Sequence, residues 1–380
     1  MIKPLEFIAS LKNLDIRFVT GVPDSLLKDI CACITEYFLP PQHVIATNEG
    51  SAVGLAIGHY LATRRPALVY MQNSGIGNAV NPATSLADPQ IYAIPMIFMI
   101  GWRGEILEDG KQIHDEPQHV MQGQITLPQL DIMKIPYIII DSNSMRIDHV
   151  LSKLIELAML RSGPVALVVR KQTFHPFKLT KPVCEDSRLT RETAISTVIN
   201  ALPGHVPIVS TTGMASRELF ELRKAMGQGH DRDFLTVGGM GHAGQIAAGI
   251  AMAKPDCQIV CIDGDGAVLM HMGSLAISAD CSNLLHIAIN NGAHDSVGGQ
   301  PTKGAVLDFT KIAKACGYGC ISSAVTMDEI ALNVQSMLGS GLSSFLEIKC
   351  KCGARANLGR PDRTPAENKS DFMRFLEKDL

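Results

Sequence analysis

At 380 residues the chain is longer than one ordinary hydrophobic core requires, so two domains are expected. Hydrophobic residues make up 46% and charged residues 19%, and the formal net charge of −3 offers no basic surface for nucleic acid or an anionic membrane. The N-terminus lacks the basic start and apolar core of a signal peptide, and no later run approaches the roughly 20 apolar residues of a membrane helix, so a cytoplasmic protein is expected.

In chain order, apolar runs at 16–22, 44–48, 66–72, 96–101, 137–140 and 165–169 predict strands. Helical periodicity at 25–37, 49–62, 77–86 and 146–160 lies between them. Nearly all-apolar strands alternating with helices are the mark of a parallel sheet covered on both faces. The rhythm lapses at 172–188, "QTFHPFKLTKPVCEDSR", which reads as a linker. It resumes with strands at 207–211, 234–237, 258–262, 285–290 and 344–349, and helices at 216–226, 245–253 and 272–279. The expected fold class is therefore α/β, as two doubly wound parallel-sheet domains at 1–171 and 189–380. The ten cysteines are scattered, with C-x-C pairs at Cys31/Cys33 and Cys350/Cys352 and no C-x-x-C, so they read as reduced core residues and not a zinc site.

The most informative stretch is "CIDGDGAVLMHMG", Cys261 to Gly273. Ligands of open α/β sheets bind beyond the carboxyl ends of strands, and Asp265 stands at such an end. Gly264 and Gly266 let backbone amides, including that of Ala267, come close to an anion. The G-x-G-x-x-G of a dinucleotide fold is missing, as is the G-K-[ST] of a Walker loop, which removes a nicotinamide-dependent oxidoreductase from contention. One helix and one strand later stand Asn290 and Asn291, followed by Gly292. A carboxylate and a carboxamide at neighbouring strand ends offer oxygen ligands to one hard cation. Mg²⁺ takes few protein ligands and completes its shell with phosphate oxygens and water. The pair therefore reads as a diphosphate site bridged by metal.

"GDG" followed at this distance by "NN" resembles the diphosphate-binding motif of the thiamine diphosphate enzymes. The resemblance implies thiamine diphosphate and Mg²⁺ as cofactors, with Asp265, Asn291 and the Ala293 carbonyl as metal ligands and Asn290 as a supporting neighbour. It makes 1–171 the pyrimidine-binding domain and 189–380 the diphosphate-binding domain, with no room for a middle domain. An aminopyrimidine needs a carboxylic acid at N1′, and Glu49 in "VIATNEGSAVGLAIG" stands at a strand end among small and apolar residues. A helix N-terminus alone would also favour a glutamate there. In "GGMGHAGQIAAGIA", Met240 holds the place of the residue that wedges the cofactor into its bent form, although a core methionine would look the same. Thr212 and Gly213 in "TTGMAS" are further cofactor candidates. In this family the pocket forms between the pyrimidine domain of one subunit and the diphosphate domain of another, so self-association is implied.

"GVPDSLLKDI", "SGIGNAVNPATSLADPQIY", "GWRGE", "DEPQHVMQG" and "NNGAHDSVGGQPT" are together similar to the phosphonopyruvate-decarboxylase branch. That resemblance implies loss of CO₂ from 3-phosphonopyruvate to give phosphonoacetaldehyde, in phosphonate biosynthesis. A doubly charged phosphonate calls for arginine or amide donors, and Arg103, Arg355 and Arg360 lie in strand-end or loop segments. Asp24, Asp115, His119 and His294 are candidates for moving protons, with Asp115 and His119 in a loop-like polar stretch around Pro117. Larger decarboxylases carry a His pair and a glutamate where "DEPQH" and "AHDSV" stand here. The rival substrate is sulfopyruvate, against which the fusion of both domains in one chain is an argument. A binding protein that lost the chemistry is the alternative of another class, and intact Glu49, Asp265 and Asn291 speak against it.

Overall fold

Each apolar run becomes a parallel strand whose alternate side chains feed cores on opposite faces. The computed structural model describes residues 1–144, 146–179 and 188–378, so part of the expected linker, 180–187, lies outside the described residues. The chain divides into two units, Met1–Pro182 and Val183–Leu380.

In the first unit the strands are β1 (Val19–Gly21), β2 (His43–Ile45), β3 (Ala67–Gln72), β4 (Met96–Gly101), β5 (Tyr137–Ile140) and β6 (Pro164–Val169). The helices are α1 (Pro4–Asn13), α2 (Lys28–Tyr37), α3 (Glu49–Thr63), α4 (Ile76–Ser85), α5 (Pro117–Ile132) and α6 (Ile147–Arg161). The sheet order is β2-β1-β3-β4-β6-β5, parallel throughout. Leu68, Tyr70, Ile97 and Met99 enter one core with Phe7 and Leu11 of α1, while Val69, Met71, Phe98 and Ile100 enter the other with Ala52 and Val53 of α3. That split follows from the two-residue period of a strand. Each such side chain, fully buried, contributes roughly 1.5–3 kcal/mol.

The second unit holds β7 (Ile208–Ser210), β8 (Asp233–Leu235), β9 (Ile259–Gly264), β10 (Leu284–Asn290), β13 (Cys320–Ala324) and β14 (Ser344–Lys349), with a small hairpin of β11 (Ala293–His294) and β12 (Gln300–Pro301). Its helices are α7 (Arg191–Ala201), α8 (Met214–Ala225), α9 (Ala243–Ala253), α10 (Asp265–Met270), α11 (Leu275–Ser278), α12 (Phe309–Cys316), α13 (Met327–Leu338) and α14 (Pro365–Leu376). The main sheet runs β13-β14-β10-β9-β7-β8, again parallel. Both sheets are doubly wound α/β, and no middle domain separates them among the described residues.

Each order reverses direction between β1 and β3 in the first unit and between β7 and β9 in the second, where chain-consecutive connections leave to opposite sides. Crevices at such switch points are where open α/β sheets take ligands. Residues 21–25 and 72–75 flank the first, and 211–213 and 264–267 the second.

One expectation is corrected. His119 does not lie in a loop: Pro117 opens the helix α5, and His119 is buried in its first turn. Proline at the first helical position lacks only an N–H that would have no partner there anyway. The same device opens α1 at Pro4. No helix is long and apolar enough to cross a membrane among the described residues.

Candidate active site

In the first unit, the turn after β3 ties the candidate residues together. Asn48 caps α3 by accepting from the Ser51 amide at 2.8 Å, which sets Glu49 as the first helical residue. Glu49 is 5% exposed, and its Oε2 accepts from Asn78 Nδ2 at 2.7 Å. Gly75 lies against it, since a Cβ there would stand 2.5 Å from Oε1. Two residues earlier, Asn73 donates to the Arg103 carbonyl at 2.9 Å and accepts the Arg103 amide at 3.2 Å. Gln72 donates to Asp24 Oδ1 at 2.6 Å. Thus Asp24, Glu49 and Arg103 all bear on residues 72–75.

Asp24 is buried, and its Oδ2 accepts the amides of Leu26 and Leu27. Burial pushes its pKa up, opposed by the Gln72 hydrogen bond and the Arg103 charge, so it keeps its proton to higher pH than an ordinary aspartate. Asp115 behaves in the opposite way. Arg103 grips both its oxygens, with Nε 2.8 Å from Oδ2 and Nη2 on Oδ1, while Nη1 donates to Ser25 at 2.6 Å. Burial works against the charge, but the Arg103 hydrogen bond and the Glu116 amide hold the Asp115 carboxyl well below the usual carboxylate range. Asp115 is therefore an ionised partner that orients Arg103. Burial lowers His119 to about 4, helped by the Arg103 charge, so the ring is neutral near pH 7.

In the second unit β9 delivers Asp265 to the first position of α10. The carboxylate is 3% exposed, and Oδ2 accepts the Thr302 hydroxyl. Gly304 packs on it so closely that any Cβ would overlap the carboxylate. Asn290 donates to the Gly304 carbonyl at 2.9 Å and to Glu347 at 2.7 Å, fastening this clasp to β14. Burial raises the Asp265 pKa to about 6, against the Thr302 and Gly266 hydrogen bonds. No cation pairs with it among the described residues. A buried carboxylate without a cation, at the end of β9 next to the β10 end that carries Asn290 and Asn291, supplies oxygen donors that fit a hard divalent ion.

Asn291 Nδ2 donates to Asp295 Oδ2 at 2.6 Å, and its Oδ1 accepts the Ala293 amide at 3.1 Å. Thr302 closes the loop by donating its amide to the Gly292 carbonyl at 2.9 Å. Met240 comes to the same place: its methyl lies 3.4 Å from where a Gly266 Cβ would be, next to His294. Burial lowers His294 to about 4. Gly213 has φ +94° and faces Ser296, whose Oγ would stand 2.8 Å from an added Cβ. Gly264, Ala267, Thr212 and Gly213 thus stand at the ends of β9 and β7.

The last two arginines lie elsewhere in this unit. Arg355 is engaged by Glu192, at 2.9 Å, and by Glu221. Arg360 is exposed. Sequence reading also missed Thr302, Gly304, Glu347, Asp295 and Arg191, which act through partners far along the chain.

Two family models match, the N-terminal TPP binding domain of thiamine pyrophosphate enzymes over 6–132 and the C-terminal TPP binding domain over 211–348. The phosphonopyruvate decarboxylase of Streptomyces viridochromogenes is 31% identical over 99% of this chain and 95% of its own. The chain belongs to the thiamine pyrophosphate enzymes. Within that family it is a decarboxylase, a carboxy-lyase. The phosphonopyruvate decarboxylase of Streptomyces hygroscopicus is 30% identical over 99% of this chain and 94% of its own. A sulfopyruvate decarboxylase of Methanosarcina acetivorans is 27% identical over 97% of this chain and 96% of its own. That last match removes one sequence argument: a sulfopyruvate decarboxylase also spans both domains in a single chain, so fusion does not discriminate between the two substrates.

Proposed function

We propose that the chain decarboxylates 3-phosphonopyruvate to phosphonoacetaldehyde and CO₂ in phosphonate biosynthesis, using thiamine diphosphate held through Mg²⁺. The observation that carries the reading is near full-length identity of 31% to a protein named for that reaction. The clasp around Asp265 supports the cofactor half of it. Asp265, Asn291 and the Ala293 carbonyl would hold the metal, and the amides at Gly264, Gly266 and Ala267, with Thr212 and Gly213, would line the diphosphate. Met240 would press under the cofactor and Glu49 would meet its pyrimidine N1′. When bound, the cofactor supplies the electron sink for the carbon–carbon bond that breaks.

The chain's own residues then have two tasks. A proton must replace the lost carboxylate, and Asp24, which burial keeps protonated to higher pH, is the donor we favour over the neutral His119 and His294. The phosphonate needs a fixed cation, and Arg103 is oriented by Asp115 beside Asp24. Arg355 and Arg360 remain as second candidates. The complete site is proposed to form between subunits, in a cytoplasmic homo-oligomer.

Turnover of 3-phosphonopyruvate and sulfopyruvate by the purified protein, with and without added thiamine diphosphate and Mg²⁺, tests this. Cofactor-dependent CO₂ release is expected with the phosphonate, and Glu49→Ala should fold normally yet lose most of that activity. A clear preference for sulfopyruvate, the second reading that the Methanosarcina acetivorans relative supports, would overturn the substrate assignment.

A further inference from the structure

The corner around Asn291 is braced by a run of buried charge that begins on a different helix. Arg191 opens α7, with its side chain 7% exposed. It donates from Nε and Nη2 to the two oxygens of Glu218 on α8, at 2.7 and 2.9 Å, and from Nη1 to Asp295 Oδ2 at 2.7 Å. The same Asp295 oxygen accepts Asn291 Nδ2 at 2.6 Å and the Gly353 amide at 3.0 Å. Three donors therefore converge on one carboxylate oxygen.

A carboxamide has two nearly isosteric ends, one of which donates and one of which accepts. An ionised carboxylate accepts only, so Asp295 can receive only the NH₂ end of Asn291. That leaves Oδ1 on the opposite side. A cation attracts that oxygen and is repelled by an NH₂. Asp295 can serve as a fixed acceptor because Arg191, itself anchored on Glu218, compensates its charge in a buried setting.

We propose that Asp295 and Arg191 are positioning residues, holding the Asn291 carboxamide in the one orientation that presents Oδ1 to a divalent cation. The proposal rests on the reading of Asp265, Asn291 and Ala293 as the metal-binding set. Partners behind a metal ligand of this kind typically contribute 10–100-fold to affinity.

The test is Mn²⁺ binding in the presence of thiamine diphosphate, followed by the electron paramagnetic resonance of free Mn²⁺, on the full-length protein. Asp295→Ala should weaken Mn²⁺ binding by about 10–100-fold, and Asp295→Asn, which keeps the volume and one acceptor, should lie between it and wild type. Arg191→Gln should weaken it in the same direction. Circular dichroism and melting establish that each variant is folded at the assay temperature. A purely structural role would lower the melting temperature and leave the Mn²⁺ affinity within about twofold of wild type, and that result overturns the proposal. Should Asp295→Ala not fold, the same criterion applies to Asp295→Asn. Asp265→Ala is the control on the underlying reading: it should abolish Mn²⁺ binding and leave the free-Mn²⁺ signal undiminished, and unchanged binding there would sink the metal corner together with this inference.

Discussion

Gly304 is the position where a single methyl group acts most directly on the proposed chemistry. A Cβ there would overlap the Asp265 carboxylate, which is buried at the start of α10 and already fixed by Thr302. The Gly304 carbonyl is also held by Asn290, so the backbone cannot simply swing away. Gly304→Ala should therefore move the carboxylate and weaken Mg²⁺ or Mn²⁺ binding by about 10-fold or more, within the range seen when a metal ligand loses its support. Calorimetric titration of the apo protein in the presence of thiamine diphosphate measures this. Wild-type affinity in a folded variant would mean that Asp265 does not bind the ion in the pose seen here. The effect is local, because Gly304 lies in a single 3-10 turn, Lys303–Ala305, and contributes to none of the sheet ladders.

At the scale of elements, β2 is a three-residue edge strand whose attachment depends on a side chain as well as on its ladder. His43 Nε2 lies 2.9 Å from the Tyr70 hydroxyl of β3, spanning the intervening β1. Burial lowers the His43 pKa from 6.5 to about 4. The folded state thus favours the neutral ring, and between those values the unfolded chain binds more protons. Its contribution is complete above pH 6.5 and is lost as pH falls toward 4, about 1–2 kcal/mol between pH 7.5 and pH 5. Native-state hydrogen exchange of the β1 and β2 amides should show this loss, and His43→Gln should flatten it; an equal slope in the variant would assign the pH dependence to other groups. The same scale shows what the chain makes legible. Met96–Gly101, Tyr137–Ile140 and Ser344–Lys349 are strands with the bounds their apolar runs predict. β1 and β2 are shorter than 16–22 and 44–48, because an apolar run reports burial and not how far the ladder extends. Strand β13, "CISSA", carries serines at a sheet edge and has no such run. Asp265, Asn291 and Glu49 could be picked out because strand ends bordered by glycine have a local pattern. Arg191 could not: its partners Glu218 and Asp295 lie 27 and 104 positions away, and only the fold brings them together.

For the whole molecule, the proposed function raises the question of which Glu49 would serve which Asp265. The two residues belong to different units of the chain, and each complete site is proposed to form between two subunits. Two variants answer it, Glu49→Ala and Asp265→Ala, each expected to be inactive alone. If the units of one chain built the site, a mixed dimer would carry one defect in each site and remain dead. If the site is shared across subunits, a mixed dimer instead collects both defects in one site and leaves the other intact. Random reassortment of a two-fold dimer makes half of the population mixed, so about a quarter of wild-type activity should return. The experiment is to mix equal amounts, dissociate, reassociate and assay CO₂ release, with each variant treated alone as the blank. No recovery, in a preparation shown by differential tagging to contain mixed dimers, would place Glu49 and Asp265 of one site on the same chain. A higher oligomer built from such dimers gives the same fraction, because the arithmetic concerns only the pair that shares a site.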